Sequence, residues 1–306
     1  VEYEGDVTLL RQLANENARI GLLSLAGGNR GIVGGSVVAA MEKYGLQHKF
    51  KILVGISTGA PQVAYFAAGV ANRGRRIYYE VCTTPEYMML SRRQPVKTIR
   101  RFYRGNAVDL DHLCSVFRGE IGSNSLDVDA LCACKANVYV GVTDYATGEG
   151  RLINLKTALP DSVAAIHASI AMPHVYRKPV IVNGKRYLDG TGALVFPARE
   201  IVESWNLSGL LVITNGPRTH SRSLVHAALE FFAINLLPPG PRRVSRKRHL
   251  TYGESLTYLR GGRMPYLIIY SDVSVHMFEQ NPEIIKSAGD RAYEFTLGLL
   301  KSAGIS

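Results

Sequence analysis

Residues 49–69 read KFKILVGISTGAPQVAYFAAG, and at their centre one hydroxyl, Ser57, stands between Gly55 and Gly59. A strand-like run, Phe50 to Val54, precedes it and a helical pattern follows. A Gly-x-Ser-x-Gly stretch between strand and helix can form a sharp, strained turn that lifts the hydroxyl clear of the sheet, and the glycines give that turn room. The serine then faces a helix N-terminus, where backbone N–H groups favour developing negative charge. Such a residue suits nucleophilic attack on an acyl carbon. The three-residue pattern is common by itself, so its partners must decide.

A second candidate lies upstream in LLSLAGGNRGIVGG, again strand, glycines, helix. Gly27 and Gly28 could offer consecutive backbone N–H groups to the oxyanion of a tetrahedral intermediate, and Arg30 adds positive charge. A dinucleotide-binding loop would want an acidic residue at the end of the next strand. That strand instead runs through Gly55 to Ser57, so the nucleotide reading fails. For a base, the order of an α/β-hydrolase would offer Asp272 and His276. That fold threads more strands before its nucleophile, and here one strand is expected to precede the one leading to Ser57. His167 and His174 flank a helix end and read as structural. Asp189, in NGKRYLDGTGALVFP, closes a strand and is followed by Gly190 and Gly192. It could reach the same sheet edge as Ser57, although alone the stretch is also an ordinary Asp-Gly turn.

Strands are expected at Arg19 to Leu25 and Phe50 to Val54, with helices at Ile32 to Tyr44 and Thr58 to Ala71. Strand and helix alternating in this way indicate a mostly parallel sheet flanked by helices, an α/β fold. Residues 73–135 are mostly helical in pattern. Two further strands, Asn137 to Asp144 and Arg151 to Leu155, join through a turn at Thr147-Gly148. Asp161 can cap a helix running to Ala171. Later come a strand from Leu210 to Thr214, another from Tyr266 to Ser271, and a closing helix from Pro282 to Ser302. One domain over 1–306 is expected, with residues 1–18 an N-terminal extension and 216–262 an insertion or mobile flap.

The 306 residues carry a formal charge of +11 with 46% hydrophobic residues, enough for a sizeable core. No apolar run reaches the length of a membrane span, and VEYEGDVTLL has no signal-peptide pattern. A reducing, cytoplasmic setting is expected. Cys82, Cys114, Cys132 and Cys134 suggest buried thiols rather than a disulfide framework. Cys132-Ala-Cys134 lacks a second ligand pair, so no metal is expected. The positive charge favours an anionic partner, nucleic acid or acidic membrane, without choosing between them. Arg92, Arg93, Lys97, Arg100, Arg101 and Arg104 interleave with Val96, Ile99, Phe102 and Tyr103. Arg242, Arg243, Arg246, Lys247 and Arg248 form a denser cluster after the apolar run Phe231 to Leu237, a mixture suited to an anionic interface.

In order, these segments resemble the patatin-like phospholipases, lipid acyl hydrolases with a Ser-Asp dyad. AGGNRG (Ala26 to Gly31) is similar to the family's anion-hole loop and GISTG (Gly55 to Gly59) to its nucleophile elbow. VTDYATGEGRLINL (Val142 to Leu155) resembles its Thr-Asp and Thr-Gly-Glu strand pair, and ASIAMPHVYRKPVIVNGKRYLDGTG (Ala168 to Gly192) the stretch that delivers its catalytic aspartate. NPEIIKSAGDRAYEFTLGLL resembles its last helix. The resemblance implies a three-layer patatin-like architecture, with Ser57 as nucleophile and Asp189 as base without a histidine. It also implies Gly27, Gly28 and Arg30 around the oxyanion, a lipid or phospholipid substrate, and no cofactor. A free aspartate titrates near 3.9, so a desolvated site is expected to raise its basicity. Ala26 stands where the family has the first glycine of a triplet. Thr191 stands where it often has Gly or Ala, set to crowd Asp189 or to hydrogen-bond to it. An acyltransferase on the same scaffold, a non-catalytic lipid-binding relative and a nucleic-acid-binding protein remain alternatives, the last without a recognised binding motif.

Overall fold

The segments IGLLS, ILVGI and GLLVI carry almost no polar side chains, and each is buried along its whole length. Such runs fit interior strands of a parallel sheet covered on both faces. In the computed structural model they are three of the nine strands that form one mixed sheet among the described residues. The structure describes residues 1–305 except 16, 90–94, 105–106, 159–160, 174, 177, 219–233, 236, 247 and 272–274. The side chains of 95, 98–99, 102–103 and 248–249 also lie outside that description. Arg92, Arg93, His174, Phe231, Lys247 and Asp272 from the sequence analysis therefore lie outside the described residues.

The strands are β1 (Glu2–Gly5), β2 (Ile20–Ser24), β3 (Ile52–Ile56), β4 (Asn137–Asp144), β5 (Gly150–Asn154), β6 (Val180–Val182), β7 (Lys185–Asp189), β8 (Gly209–Ile213) and β9 (Tyr266–Tyr270). The helices are α1 (Leu9–Gln12), α2 (Ile32–Glu42), α3 (Gly59–Ala67), α4 (Ala71–Glu80), α5 (Pro95–Arg104), α6 (Leu110–Arg118), α7 (Val128–Ala133) and α8 (Ser162–Ile170). They continue with α9 (Ala198–Trp205), α10 (Pro239–Ser245), α11 (Arg248–Arg260) and α12 (Pro282–Ser302). The sheet order is β1-β9-β8-β2-β3-β4-β7-β6, with β5 paired to β4. Strands β9, β8, β2, β3 and β4 run parallel, and β1, β5 and β7 join them antiparallel. Alternate side chains feed two cores. Leu22 and Leu53 pack with Ile32, Val37, Phe66 and Ile285 on one face. Leu23, Ile52 and Val54 pack with Phe196, Ile201 and Leu259 on the other. The result is the expected α/β architecture of three layers, helix, sheet, helix.

Several boundaries differ from the sequence expectation. The helix expected over Thr58 to Ala71 is two, because Gly69 turns left-handed (φ +68°) between α3 and α4. Helices α10 and α11 occupy part of the 216–262 segment that reads as irregular. Two strands, not one, precede β3, since residues 2–5 pair antiparallel with β9. Residues 2–5 are thus tied into the sheet, and Leu9, Leu10 and Leu13 are buried.

Glu4 secures that edge strand. Its carboxylate accepts from Arg260 Nε at 2.7 Å and Nη2 at 2.8 Å, and from Tyr270 at 3.1 Å. The Arg260 hydrogen bond is the main cause that lowers the Glu4 pKa from an ordinary 4.5 to about 2, against the opposing effect of burial. A depressed carboxylate stabilises the fold above its unfolded pKa and loses that contribution as pH falls through the folded one. Glu4→Gln is therefore expected to be less stable than the parent at pH 7, with the difference vanishing between about pH 4.5 and about pH 2. The ceiling is about 3 kcal/mol, reduced because Arg260 is half-exposed to screening solvent. Urea unfolding of both proteins across that pH range checks it.

Candidate active site

Strand β4 brings the two candidate catalytic residues together through its length. Along one edge it pairs with β3 as far as Ile56 opposite Gly141. The chain then turns away at Ser57, and the vacated edge is taken by β7, whose last residue, Asp189, sits opposite Val142. Ser57 and Asp189 thus leave adjacent positions on the same ladder. β7 arrives through a hairpin with β6, whose Asn183-Gly184 turn has positive φ at both residues (+49° and +75°). That is the turn geometry a two-residue hairpin favours.

Ser57 itself holds φ +54°, a left-handed conformation rare for a residue with a side chain. Strain of this kind, roughly 1–3 kcal/mol, persists where surrounding packing enforces it. Here packing does. A Cβ on Gly55 would lie 2.3 Å from Gly59 O, and one on Gly59 would lie 2.1 Å from Ser24 O. Neither site accepts a side chain. The Ser57 N–H donates to Ser169 Oγ at 3.1 Å, and Ser169 in turn donates to Gly141 O at 2.7 Å.

The Ser57 hydroxyl donates to Asp189 Oδ2 at 2.7 Å. Asp189 is 1% exposed. Its other oxygen, Oδ1, accepts from the Thr191 N–H at 2.8 Å and Thr191 Oγ1 at 2.6 Å. Thr143 Oγ1 donates to the Asp189 carbonyl at 2.8 Å. Thr191 therefore bonds to the aspartate, the second of the two outcomes its side chain allowed, and leaves Oδ2 facing the serine. Thr143, Ser169 and Thr58 carry no sequence signal of their own, since a serine or threonine is ordinary anywhere.

The glycine-rich loop packs directly against this turn. Gly28 has φ +58°, and a Cβ there would meet Met277 Cγ at 2.6 Å. Thr58 Oγ1 donates to Gly28 O at 3.2 Å. Among the described residues, the N–H groups of Gly27 and Gly28 have no hydrogen-bond acceptor. Arg30 Nε donates to Gly27 O at 3.4 Å. Its guanidinium pairs with no carboxylate among the described residues, and burial lowers its pKa below the usual arginine value. Because carbonyl and N–H point to opposite sides of a peptide, a donor on Gly27 O turns the Gly28 N–H the other way.

His167 is buried against Tyr176, with ring centroids 5.2 Å apart, and burial lowers its pKa. His276 Nδ1 accepts from the Phe278 N–H at 3.3 Å. No disulfide joins the cysteines, and Cys82, Cys114 and Cys134 are buried. Among the described residues no group of three His, Cys, Asp or Glu could hold a metal ion, and no helix is long and apolar enough to cross a membrane.

A pocket opens beside Asp189, walled mainly by Met172, Pro173, Leu188, Ile234, Leu237 and Pro241. Ser245 also lines it, so helix α10 forms part of its roof. The basic cluster at 242–248 begins on this roofing helix, with Arg243 and Arg246 exposed. Arg242 donates to Leu237 O at 2.8 Å and helps to fold the roof. On α5, Lys97, Arg100 and Arg104 are exposed beside Val96, which is 78% exposed.

A profile of the patatin-like phospholipases matches residues 23–201, more than half of the chain and all of the loop, elbow and aspartate just described. The chain belongs to the patatin-like phospholipase family. It is 25% identical over 206 residues to the uncharacterized protein YjjU of Escherichia coli K12, an alignment covering 64% of this chain and 52% of that one. The chain thus spans about half the length of that curated relative. Its fold also aligns over 93% of the chain with 67% of VipD from Legionella pneumophila, at 13% identity and a TM-score of 0.46. The chain's residues 202–306 lie outside the patatin-like phospholipase match.

Proposed function

We propose that the chain is a lipid acyl hydrolase of the phospholipase A or lysophospholipase type, working through a Ser57–Asp189 dyad and a covalent acyl-enzyme. The observation that carries this reading is the 2.7 Å bond from the hydroxyl of Ser57, on its strained turn, to a buried carboxylate. Asp189 Oδ2 takes the hydroxyl proton as Ser57 Oγ attacks the ester carbonyl. The tetrahedral oxyanion is held by the Gly27 and Gly28 N–H groups, with Arg30 supporting the loop and adding positive charge. Loss of one such donor typically costs about 3 kcal/mol. The intermediate collapses as Asp189 returns the proton to the leaving alcohol. Water, deprotonated by the same carboxylate, then attacks the acyl carbon and releases the acid and free Ser57. A burst of p-nitrophenol equal to the enzyme concentration, followed by slower turnover, is the expected signature. A linear time course from the first turnover, at a resolution finer than one catalytic cycle, would count against acyl-enzyme accumulation.

The apolar side chains beside Asp189 are assigned to the path of the acyl chain, which must part them, since the cavity between them has room for about one water. Leu237 closes it and is 7% exposed. Leu237→Ala is expected to move the optimum of a p-nitrophenyl ester series, butyrate to palmitate, by at least two carbons towards longer chains. Burying or releasing each methylene is worth about 0.8 kcal/mol, so the ratio of kcat/KM between neighbouring even-numbered esters should change roughly tenfold. An unchanged profile would remove the pocket from the substrate path.

Contact with an anionic membrane is part of the same proposal, because Arg243 and Arg246 would face a surface while the pocket mouth stays near it. Neutralising both to Gln should weaken binding to phosphatidylserine vesicles by roughly thirtyfold at low salt, at about 1 kcal/mol per basic residue. Hydrolysis of a soluble ester should change little. At 1 M salt, where the Debye length is about 3 Å, the binding difference should vanish. Equal losses in both assays would mean that these residues maintain the site rather than the membrane contact.

A further inference from the structure

A fully buried polar network lies behind the glycine loop, and its centre, Asn215, is outside the segment matched to the family. Asn215 follows β8, and β8 and β3 flank β2 on opposite sides. Strand order reverses there, so the loop after β2 opens into the crevice where open α/β sheets place their ligands. Asn215 is 0% exposed and holds φ +51°, a conformation that asparagine tolerates better than most residues. Its Nδ2 donates to Leu25 O at 2.6 Å, and its Oδ1 accepts from the Gly34 N–H at 3.0 Å. Both partners are backbone groups of fixed polarity, so the orientation of the amide is settled. The Gly34 N–H lies in the first turn of α2 and has no carbonyl within that helix. One carboxamide therefore clamps the chain on both sides of residues 26–33.

Contact reinforces the clamp. A Cβ on Gly27 would lie 2.6 Å from Asn215 Cβ and 2.7 Å from its carbonyl oxygen, so the loop rests on Asn215 itself. Gln62 extends the network, donating to Gly31 O at 2.7 Å and to Asn215 Oδ1 at 3.3 Å. Tyr78 lies 3.1 Å from Gln62 and 2.8 Å from Thr58 Oγ1, whose hydroxyl reaches Gly28 O. The loop carbonyls are tied from behind to the residue that follows Ser57.

We infer that Asn215 is a positioning residue that holds the Gly27–Gly28 loop against the nucleophile turn in its catalytic orientation. This rests on the dyad reading above. Two variants test it. Asn215→Gly accepts φ +51° and deletes the carboxamide, whereas Asn215→Asp keeps the shape and removes the donor to Leu25 O. Each is expected to lower kcat on p-nitrophenyl butyrate by at least about tenfold, with KM within about threefold, as displacement of oxyanion donors would. Independently of turnover, hydrogen exchange in peptides covering residues 25–34 should accelerate at least about tenfold while β3 stays protected. Should neither variant fold, Gln62→Met, which removes the bridge to Gly31 O at similar volume, carries the same exchange prediction. Unchanged exchange over 25–34, or a kcat loss that merely tracks the unfolded fraction, overturns the role of Asn215. Faster exchange in a chain whose parent shows no Ser57-dependent hydrolysis would instead overturn the dyad reading and leave the clamp standing.

Discussion

Ser57→Ala is expected to abolish ester hydrolysis, by about 10⁴-fold or more, with little effect on the fold. The hydroxyl's described bond goes to Asp189 and supports no core contact. The strain at φ +54° belongs to the turn and not to the hydroxyl. Ser57→Gly sharpens the test, because glycine adopts that φ freely. It should be as inactive as the alanine variant yet equal or exceed the parent in Tm. Hydrolysis of p-nitrophenyl butyrate and thermal unfolding, measured on the same preparations, separate the two effects. Either variant turning over near the parental rate would end the proposal.

Asp189→Asn should reduce kcat by about 10³ to 10⁴. The Thr191 N–H and hydroxyl both need an acceptor at the inner oxygen of residue 189. An asparagine would therefore keep its carbonyl oxygen towards Thr191 and turn its NH₂ towards Ser57. It would then offer the nucleophile a donor where a base is needed. His276→Ala, by contrast, should stay within about twofold of the parent, since a dyad uses no histidine. Steady-state kinetics of the two variants side by side provide the check. Exchanged outcomes would favour a histidine-dependent triad.

The parallel core was legible because buried strands such as IGLLS and ILVGI carry their signal in local composition. The nucleophile turn was legible for the same local reason, a serine with glycines on either side. Asp189 was legible as a strand-closing Asp-Gly and through the family resemblance, but its proximity to Ser57 was not, because that depends on β4 exchanging one neighbour for another at Gly141, a non-local event. The hairpin that brings β7 there did leave a local mark, Asn183-Gly184 directly after the β-branched run VIV, a recognised turn signal. Strand β1 left almost none. Its four residues, EYEG, are largely exposed, and pairing with β9 and the Arg260 contact define it. The Asn215 network was invisible for a related reason. Ser24, Gln62, Tyr78 and Asn215 lie far apart in the chain, and each is unremarkable until the sheet assembles them.

The proposed mechanism makes Ser57 a nucleophile activated by Asp189. A fluorophosphonate probe tests it most directly, because phosphorus captures an activated serine irreversibly and mass spectrometry then names the residue. Stoichiometric labelling is expected on the peptide containing Ser57. Labelling should be lost in Ser57→Ala, slowed by orders of magnitude in Asp189→Asn and unaffected in His276→Ala. Labelling at another residue, or at an undiminished rate in Asp189→Asn, would contradict it.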